Sequence, residues 1–163
     1  MKRVKFVQIE NKIKKALNSL YKNDYFLLEN NLNERSITHK LAEYLQHEFP
    51  GWHVDCEYNR FIDLVKKLNL PTYTINLNDL EAKTIYPDII IHHRNTNDNL
   101  IVIEVKKSNS QLNRNFDENK LIAFTKGPYF YQFGMLIEIY VGSDSSIFPK
   151  LKYFAEGKPL DND

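Results

Sequence analysis

Two adjacent segments dense in β-branched residues, Tyr86–His93 and Asn99–Lys107, constrain the fold of this chain more than any other feature. Such residues favour extended strands, and the residues between the two segments are rich in Asn and Asp, as turns are. The pair therefore predicts an antiparallel hairpin. Both segments lack a regular alternation of polar and apolar residues, which is typical of strands buried on both faces. We therefore expect helices on both sides of the sheet.

The rest of the chain is predicted to alternate between helices and strands. Apolar residues at helical spacing predict helices, and apolar residues at every second position predict strands. Asn115 or Asp117 is placed to cap the last helix. Residues 59–85 are irregular and predict an inserted loop with one short helical turn. The other predicted elements are helices over 7–21, 34–47 and 117–126, strands over 52–58 and 134–142, and an edge strand or short helix after 145.

Length and composition agree with one α/β domain built around a mixed sheet. The chain has 163 residues, enough for a single core. We expect the core over 31–142, a helical extension over 1–30 and a C-terminal extension over 143–163. No apolar run approaches the roughly 18 residues of a membrane span, and the charged start lacks the apolar segment of a secretory signal. With Cys56 as its single cysteine, the chain is predicted to be a soluble protein of the reducing cytoplasm.

Two carboxylates, Asp88 and Glu104, stand within these apolar strands. An ionised carboxylate in such surroundings is costly unless it is paired or holds a metal. If the turn centres near Thr96, Asp88 lies directly opposite Glu104, with the two Cβ atoms about 4.5–5.5 Å apart. Two like charges at that distance repel unless one takes up a proton or a cation bridges them. Paired carboxylates suit a hard cation such as Mg²⁺.

Lys106 follows Glu104 by two positions, so both side chains leave the same face of the strand. An ammonium group there could orient or deprotonate an attacking water, or neutralise negative charge that develops on a phosphorus centre. The alternative is a plain ion pair between Lys106 and either carboxylate at a solvated strand end. Pro87 favours a site, because proline in a sheet marks an edge or a distortion.

These residues resemble the signature of the PD-(D/E)XK nuclease superfamily, in which Pro-Asp is followed by (Asp/Glu)-x-Lys. Here the matching residues are Pro87-Asp88 and Glu104-Val105-Lys106. The predicted element order resembles the αβββαβ core of the restriction-endonuclease-like fold. The segments NERSITHKLAEYLQ and KLIAFT are also similar to small stand-alone bacterial proteins of this superfamily.

The resemblance implies hydrolysis of phosphodiester bonds that depends on Mg²⁺ or Mn²⁺, with nucleic acid as partner and DNA favoured over RNA. Asp88 and Glu104 would hold the metal, and Lys106 would act on the attacking water or on the developing charge. Glu34 would join the metal shell from the preceding helix, directly or through water. The alternative for Glu34 is a purely electrostatic effect at the helix N-terminus.

Further residues near the predicted site have two interpretations each. Arg35 contacts a phosphate or is simply exposed, and Lys120 points toward the same cleft or into solvent. Gln132 either hydrogen-bonds a phosphate or a metal-bound water, or has no such role. The second hypothesis for the whole chain is a catalytically silent nucleic-acid-binding module, or a subunit of a larger complex, with the same fold. The net charge of +1 favours it, because DNA-cutting enzymes often carry a broader basic surface. The sequence is also compatible with a homodimer.

Histidine and cysteine side chains do not form a zinc pattern. His92 and His93 are adjacent on a strand and point to opposite faces, so we expect surface histidines at a hairpin end. Cys56 alternates with apolar residues, which predicts a buried thiol.

Overall fold

The structure, a computed structural model, describes residues 2–58 and 86–160. These residues form a mixed six-stranded sheet flanked by helices, with the strands arranged side by side in chain order. The pair β3–β4 is parallel, and the other neighbouring strands are antiparallel. The elements are helices α1 (Lys2–Asn23), α2 (Tyr25–Glu29) and α3 (Glu34–Glu48), strands β1 (His53–Cys56), β2 (Ile89–His92) and β3 (Asn99–Lys107), helix α4 (Arg114–Lys126), strand β4 (Phe133–Ile139), a 3-10 helix (Gly142–Asp144), and strands β5 (Lys150–Ala155) and β6 (Lys158–Pro159).

The central hairpin confirms the prediction from the β-branched segments. Ile89 pairs with Ile103 and Ile91 pairs with Ile101, and an irregularity follows at His92. The bounds of β3 agree with the predicted segment, whereas β2 is shorter than predicted and begins only after Asp88. All four β2 residues are buried, as expected for a strand covered on both faces.

Helices cover the two faces of the sheet unequally. Helices α1 and α3 pack against one face, where they meet odd-numbered β3 residues such as Ile101 and Ile103. Helix α4 packs against the other face. The side chains of Ile13, Leu17 and Leu20 of α1 are fully buried, and each such burial is worth about 1.5–3 kcal/mol. The segment predicted as an N-terminal extension therefore contributes to the main core.

Several predicted element bounds change in the structure. The apolar residues that follow α1 form a short additional helix, α2. Helix α4 begins at Arg114, and its cap is Asn113, whose side chain accepts a hydrogen bond from the amide of Asn115. The C-terminal tail forms the β5–β6 hairpin. Cys56 is exposed, contrary to the prediction of a buried thiol, because it ends a short strand at the edge of the described sheet. The predicted loop over 59–85 lies outside the described residues.

Helix α4 approaches the sheet closely at Gly134 of β4. A Cβ atom at this position would lie 3.2 Å from both Thr125 Cγ2 and Phe154 Cβ, and 3.3 Å from Leu121 Cβ. The missing side chain thus fixes the distance between α4 and the sheet. Within the described residues, no helix has the length and apolar content needed to cross a membrane.

Candidate active site

Six charged side chains converge toward the C-terminal end of β3, the strand that pairs with β2 and also contacts helix α4. They come from the start of α3, the residue before β2, the second half of β3, and the first turn and the middle of α4. Ion-pair contacts and mutual electrostatic effects link all six. We call this group the charged cluster; its members are Glu34, Asp88, Glu104, Lys106, Asp117 and Lys120.

Asp88 lies opposite Glu104, as predicted. Because Ile89 pairs with Ile103, the next position along the hairpin places these two carboxylates across from each other. The backbone amide of Val105 donates a hydrogen bond of 2.8 Å to Asp88 Oδ2. This bond holds the carboxyl group against β3 and uses only one of its two oxygens.

Glu104 is paired with Lys120 of α4, in the interior of the protein. The distance from Lys120 Nζ to Glu104 Oε2 is 2.9 Å, and the two side chains are only 2% and 1% exposed. Among the described residues, Glu104 Oε1 is buried and has no hydrogen-bond partner. The interpretation of Lys120 as an exposed lysine is therefore wrong, and its alternative orientation toward the site is the one observed.

Lys106 lies between two carboxylates from different helices. Its Nζ atom is 3.4 Å from Asp117 Oδ2 and 3.6 Å from Glu34 Oε1. Glu34 Oε2 also accepts a hydrogen bond of 3.0 Å from the amide of Lys107. Glu34 thus ties the N-terminus of α3 to the end of β3 and lies beside Lys106. Its membership of a metal shell stays a prediction.

Asp117 is the member of the cluster that the sequence analysis missed. It was considered only as a helix cap, but it is buried on the inner face of α4. A signal for this was present, because Asp117, Lys120, Leu121 and Phe124 follow the spacing of one helix face. A buried face that contains both an acid and a base indicates charged partners on the facing strand.

Burial shifts the ionisation of the two strand carboxylates in the same direction. Burial raises the pKa of Asp88, and raises the pKa of Glu104 well above its usual value. For Glu104 the neighbouring Asp88 and Asp117 charges add to this effect, while Lys120 opposes it. Burial lowers the pKa of Lys106, but the carboxylates of Asp117 and Glu34 outweigh burial, so the net shift is upward. Lys106 is therefore a protonated ammonium at neutral pH.

Two carboxylate oxygens of the cluster could each serve as a ligand for a divalent cation. Asp88 has one oxygen beyond its hydrogen bond to the backbone, and Glu104 Oε1 lacks a hydrogen-bond partner in the described part of the chain. Mg²⁺ is commonly held by one or two carboxylates, with water and phosphate oxygens completing its shell. The described residues contain no group of three or more His, Cys, Asp or Glu arranged to hold a metal. Glu34 is engaged with Lys106 and Lys107, so its contribution would be through water.

An open cleft of about 570 Å³ adjoins the cluster at Asp88 and Glu34. Arg35 lines the cleft, and its Nε atom is 3.1 Å from Glu57 Oε1. The Arg35 side chain is 68% exposed, so it is reachable by a ligand in the cleft. Glu57 also lines the cleft, and the other described residues that line it are Asn33, Thr38, His39 and Cys56.

Gln132 lies away from the charged cluster. Its backbone amide donates to the carbonyl of Asn99, at the start of β3, and its exposed side chain accepts a hydrogen bond from Lys5. Because β3 and β4 are parallel, residues that precede β4 sit beside the start of β3, whereas Lys106 is near the end of β3. The predicted contact of Gln132 with a phosphate or water at the same site is therefore not supported by its position.

A second ionic group lies at the other end of the hairpin. His92 Nε2 is 2.8 Å from Asp55 Oδ2, and Arg94 Nε donates to the same oxygen at 2.9 Å. A second guanidinium nitrogen of Arg94 contacts Asp55 Oδ1. The hydrogen bonds from Arg94 hold the pKa of Asp55 below its usual value. We call these three residues the Asp55 group. His92 is buried in it, contrary to the expectation of a surface histidine, because the Asp55 carboxylate is a hydrogen-bond partner for its ring nitrogen.

Comparison with protein-family models, with curated proteins and with solved structures finds no match to this chain.

Proposed function

We propose that this chain is a metal-dependent nuclease that hydrolyses phosphodiester bonds, with DNA favoured over RNA. One observation carries the proposal: Asp88, directly before β2, lies opposite the buried Glu104 of β3 at the end of an apolar hairpin, within a cluster whose negative charges are in excess. The described order α3, β1, β2, β3, α4, β4 agrees with the αβββαβ core of the restriction-endonuclease-like fold. The PD-(D/E)XK resemblance of Asp88, Glu104 and Lys106 points to the same chemistry.

The charge balance of the cluster argues for a cation. Four carboxylates face two ammonium groups, which leaves two negative charges in excess when all are ionised. Without a metal, the raised pKa values of Asp88 and Glu104 mean that protons compensate part of this excess. One divalent cation compensates it fully. Such an imbalance does not increase the stability of the fold, because uncompensated buried charge is destabilising.

Each residue then has a distinct role. Asp88 and Glu104 would hold Mg²⁺ or Mn²⁺, and such an ion supplies charge stabilisation at phosphorus and a more acidic water. Lys106 stays protonated between Asp117 and Glu34, so it stabilises negative charge on the phosphate and does not act as a base. Glu34 positions Lys106 and the end of β3 through its two contacts.

The cleft beside Asp88 provides the path for a phosphate backbone. Arg35 lies at this cleft in an exposed ion pair with Glu57. Exposed ion pairs contribute only about 0–1 kcal/mol, so a phosphate can replace Glu57 at little cost. Glu34, Glu57 and Asp88 make the cleft acidic, and a phosphate therefore enters it more favourably together with a divalent cation.

One observation favours the second candidate, a silent nucleic-acid-binding module. Lys120 already provides a positive partner for Glu104 at 2.9 Å. If Lys120 alone compensates the charge of Glu104, the protein keeps its fold without binding metal. Metal titration and cleavage assays separate the two candidates.

The first test is a cleavage assay on single-stranded, duplex and branched DNA and on RNA, with Mg²⁺, Mn²⁺ or EDTA. Asp88→Asn and Glu104→Gln keep the side-chain shape and remove the charge. We expect each to lower cleavage by about a thousandfold or more. Glu43→Gln is the matched control, because Glu43 is an exposed α3 carboxylate paired with Lys40. Cleavage that persists in EDTA or in both site variants would overturn the proposal.

The second test is thermal unfolding of the same proteins with increasing Mg²⁺. A metal that binds only the folded protein stabilises it by about 2.7 kcal/mol at a concentration of 100 times Kd. We expect a rising Tm for the native protein and for Glu43→Gln, and no rise for Asp88→Asn. Mg²⁺-dependent stabilisation without cleavage of any substrate would support the silent module.

A further inference from the structure

The two oxygens of Glu104 are in different environments. Oε2 is 2.9 Å from Lys120 Nζ. Oε1 is buried and, as far as the described residues extend, has no hydrogen-bond partner. The carboxylate thus has one oxygen committed to an ion pair and one left over.

Lys120 is itself held in place. Its ammonium donates to the carbonyl of Tyr86 at 3.4 Å and lies 3.9 Å from Asp117 Oδ1. The Lys120 side chain is almost fully buried on α4, and α4 is seated against the sheet at Gly134. The ammonium therefore has little freedom to release Oε2, and Glu104 has little freedom to rotate.

Divalent cations differ in how they use a carboxylate. Ca²⁺ takes six to eight oxygens at about 2.3–2.6 Å and readily binds both oxygens of one carboxylate. Mg²⁺ needs near-octahedral geometry at about 2.0–2.1 Å and keeps several waters, so each carboxylate supplies it with one oxygen. A carboxylate with one oxygen already occupied suits the second ion better than the first.

We propose that Lys120 determines metal selectivity: by holding Oε2 of Glu104, it makes Glu104 a one-oxygen ligand and favours Mg²⁺ over Ca²⁺. The inference rests on the proposed metal site at Asp88 and Glu104 and adds a positioning residue to it. Lys120 does not touch the metal or the substrate in this role. Outer-shell partners of metal ligands commonly change metal affinity by about 10–100-fold.

The test is calorimetric titration of the intact protein with MgCl₂ and, separately, with CaCl₂. In the native protein we expect Mg²⁺ to bind at least as tightly as Ca²⁺. Lys120→Met removes the ammonium and keeps the length of the side chain, so Glu104 can offer both oxygens. We expect the ratio of the Ca²⁺ Kd to the Mg²⁺ Kd to fall about tenfold or more. Lys120→Arg retains a cation and should keep the native ratio.

Lys152→Met is the matched control, because the pair of Lys152 on β5 with Glu118 on α4 also joins a strand to α4, but the Lys152 side chain is 44% exposed. Its ratio should equal that of the native protein. A native preference for Ca²⁺, or an unchanged ratio in Lys120→Met, would overturn the inference; the native measurement decides alone if that variant does not fold. Failure of the proposed function has a different signature: Glu104→Gln would then bind Mg²⁺ as the native protein does, or the native protein would bind neither ion and both proposals would fall.

Discussion

The charged cluster and the Asp55 group place carboxylates on neighbouring strands of one sheet, yet they have opposite electrostatic character. Asp55 has two basic partners, Arg94 and His92, and its pKa is lowered. Asp88 and Glu104 belong to a group in which acids outnumber bases, and their pKa values are raised. The difference follows from the charge balance: basic partners keep the Asp55 carboxylate ionised, whereas the excess of carboxylates around Asp88 and Glu104 favours their protonated forms.

The largest expected effect on stability is at the buried pair of the charged cluster. Lys120→Met leaves Glu104 without its partner in an almost fully buried position, and breaking a buried ion pair costs about 3–5 kcal/mol. We expect this loss in the unfolding free energy of the metal-free protein, measured by urea denaturation at neutral pH. Lys152→Met, at an exposed pair, should cost at most about 1 kcal/mol. Equal losses in the two variants would contradict the assignment of Lys120 to a buried pair.

A smaller loss is expected in the Asp55 group. Asp55→Asn weakens the contacts to Arg94 and His92, and hydrogen bonds to charged groups contribute about 1.5–3 kcal/mol. Because the Arg94 side chain is 50% exposed, solvent screening reduces the expected loss to about 1–2 kcal/mol. The same urea experiment measures it, with Asp98→Asn as the control at an exposed His93 pair. A loss of more than about 3 kcal/mol would show that this group is as tightly coupled as the charged cluster.

The smallest and most diagnostic effect is the pH dependence of stability in EDTA. The pKa of Asp88 is raised on folding, so its contribution is present below the unfolded value of about 3.9 and is lost as pH rises through the folded pKa. The lowered pKa of Asp55 gives the reverse: its contribution is present above about 3.9 and is lost as pH falls through the folded pKa.

The two variants should therefore separate with pH. Relative to the native protein, Asp88→Asn should become more stable as pH rises from about 4 to 7, because the native protein loses the contribution of the protonated Asp88 carboxyl group. The destabilisation by Asp55→Asn should shrink as pH falls below about 4. Urea denaturation at a series of pH values measures both trends. If the two trends had the same sign, the contrast between the two groups would be refuted.

Periodicity and turn chemistry predicted the part of the site that lies in the central hairpin. A turn near Thr96 fixes which residues face each other, so Asp88 and Glu104 were placed opposite one another before any coordinates. Glu34 was identified through the family resemblance, and its contacts with Lys106 and Lys107 place it at the same end of β3. The hairpin pairing depends on local geometry, which the sequence determines strongly.

The parts that were missed depend on how distant elements pack. Lys120 is buried because it lies on the face of α4 that packs against the sheet. The pattern of one helix does not show that its partner on the sheet is Glu104. The parallel pairing of β3 and β4 places Gln132 at the far end from Lys106, and strand direction was not predicted. The partner of His92 is Asp55 on another strand, so its burial was also beyond local patterns.

The close approach of α4 at Gly134 limits how far helix α4, which carries Asp117 and Lys120, can move relative to the sheet. A methyl group there would force Thr125 and Leu121 to shift by a few tenths of an ångström. Lys120 lies on the same helix and would shift with them. The distance between Lys120 and Glu104 therefore depends on Gly134 of the neighbouring strand β4, although Gly134 carries no charge. Substitution of Gly134 would therefore change the distance between Lys120 and Glu104 without removing any ionisable group.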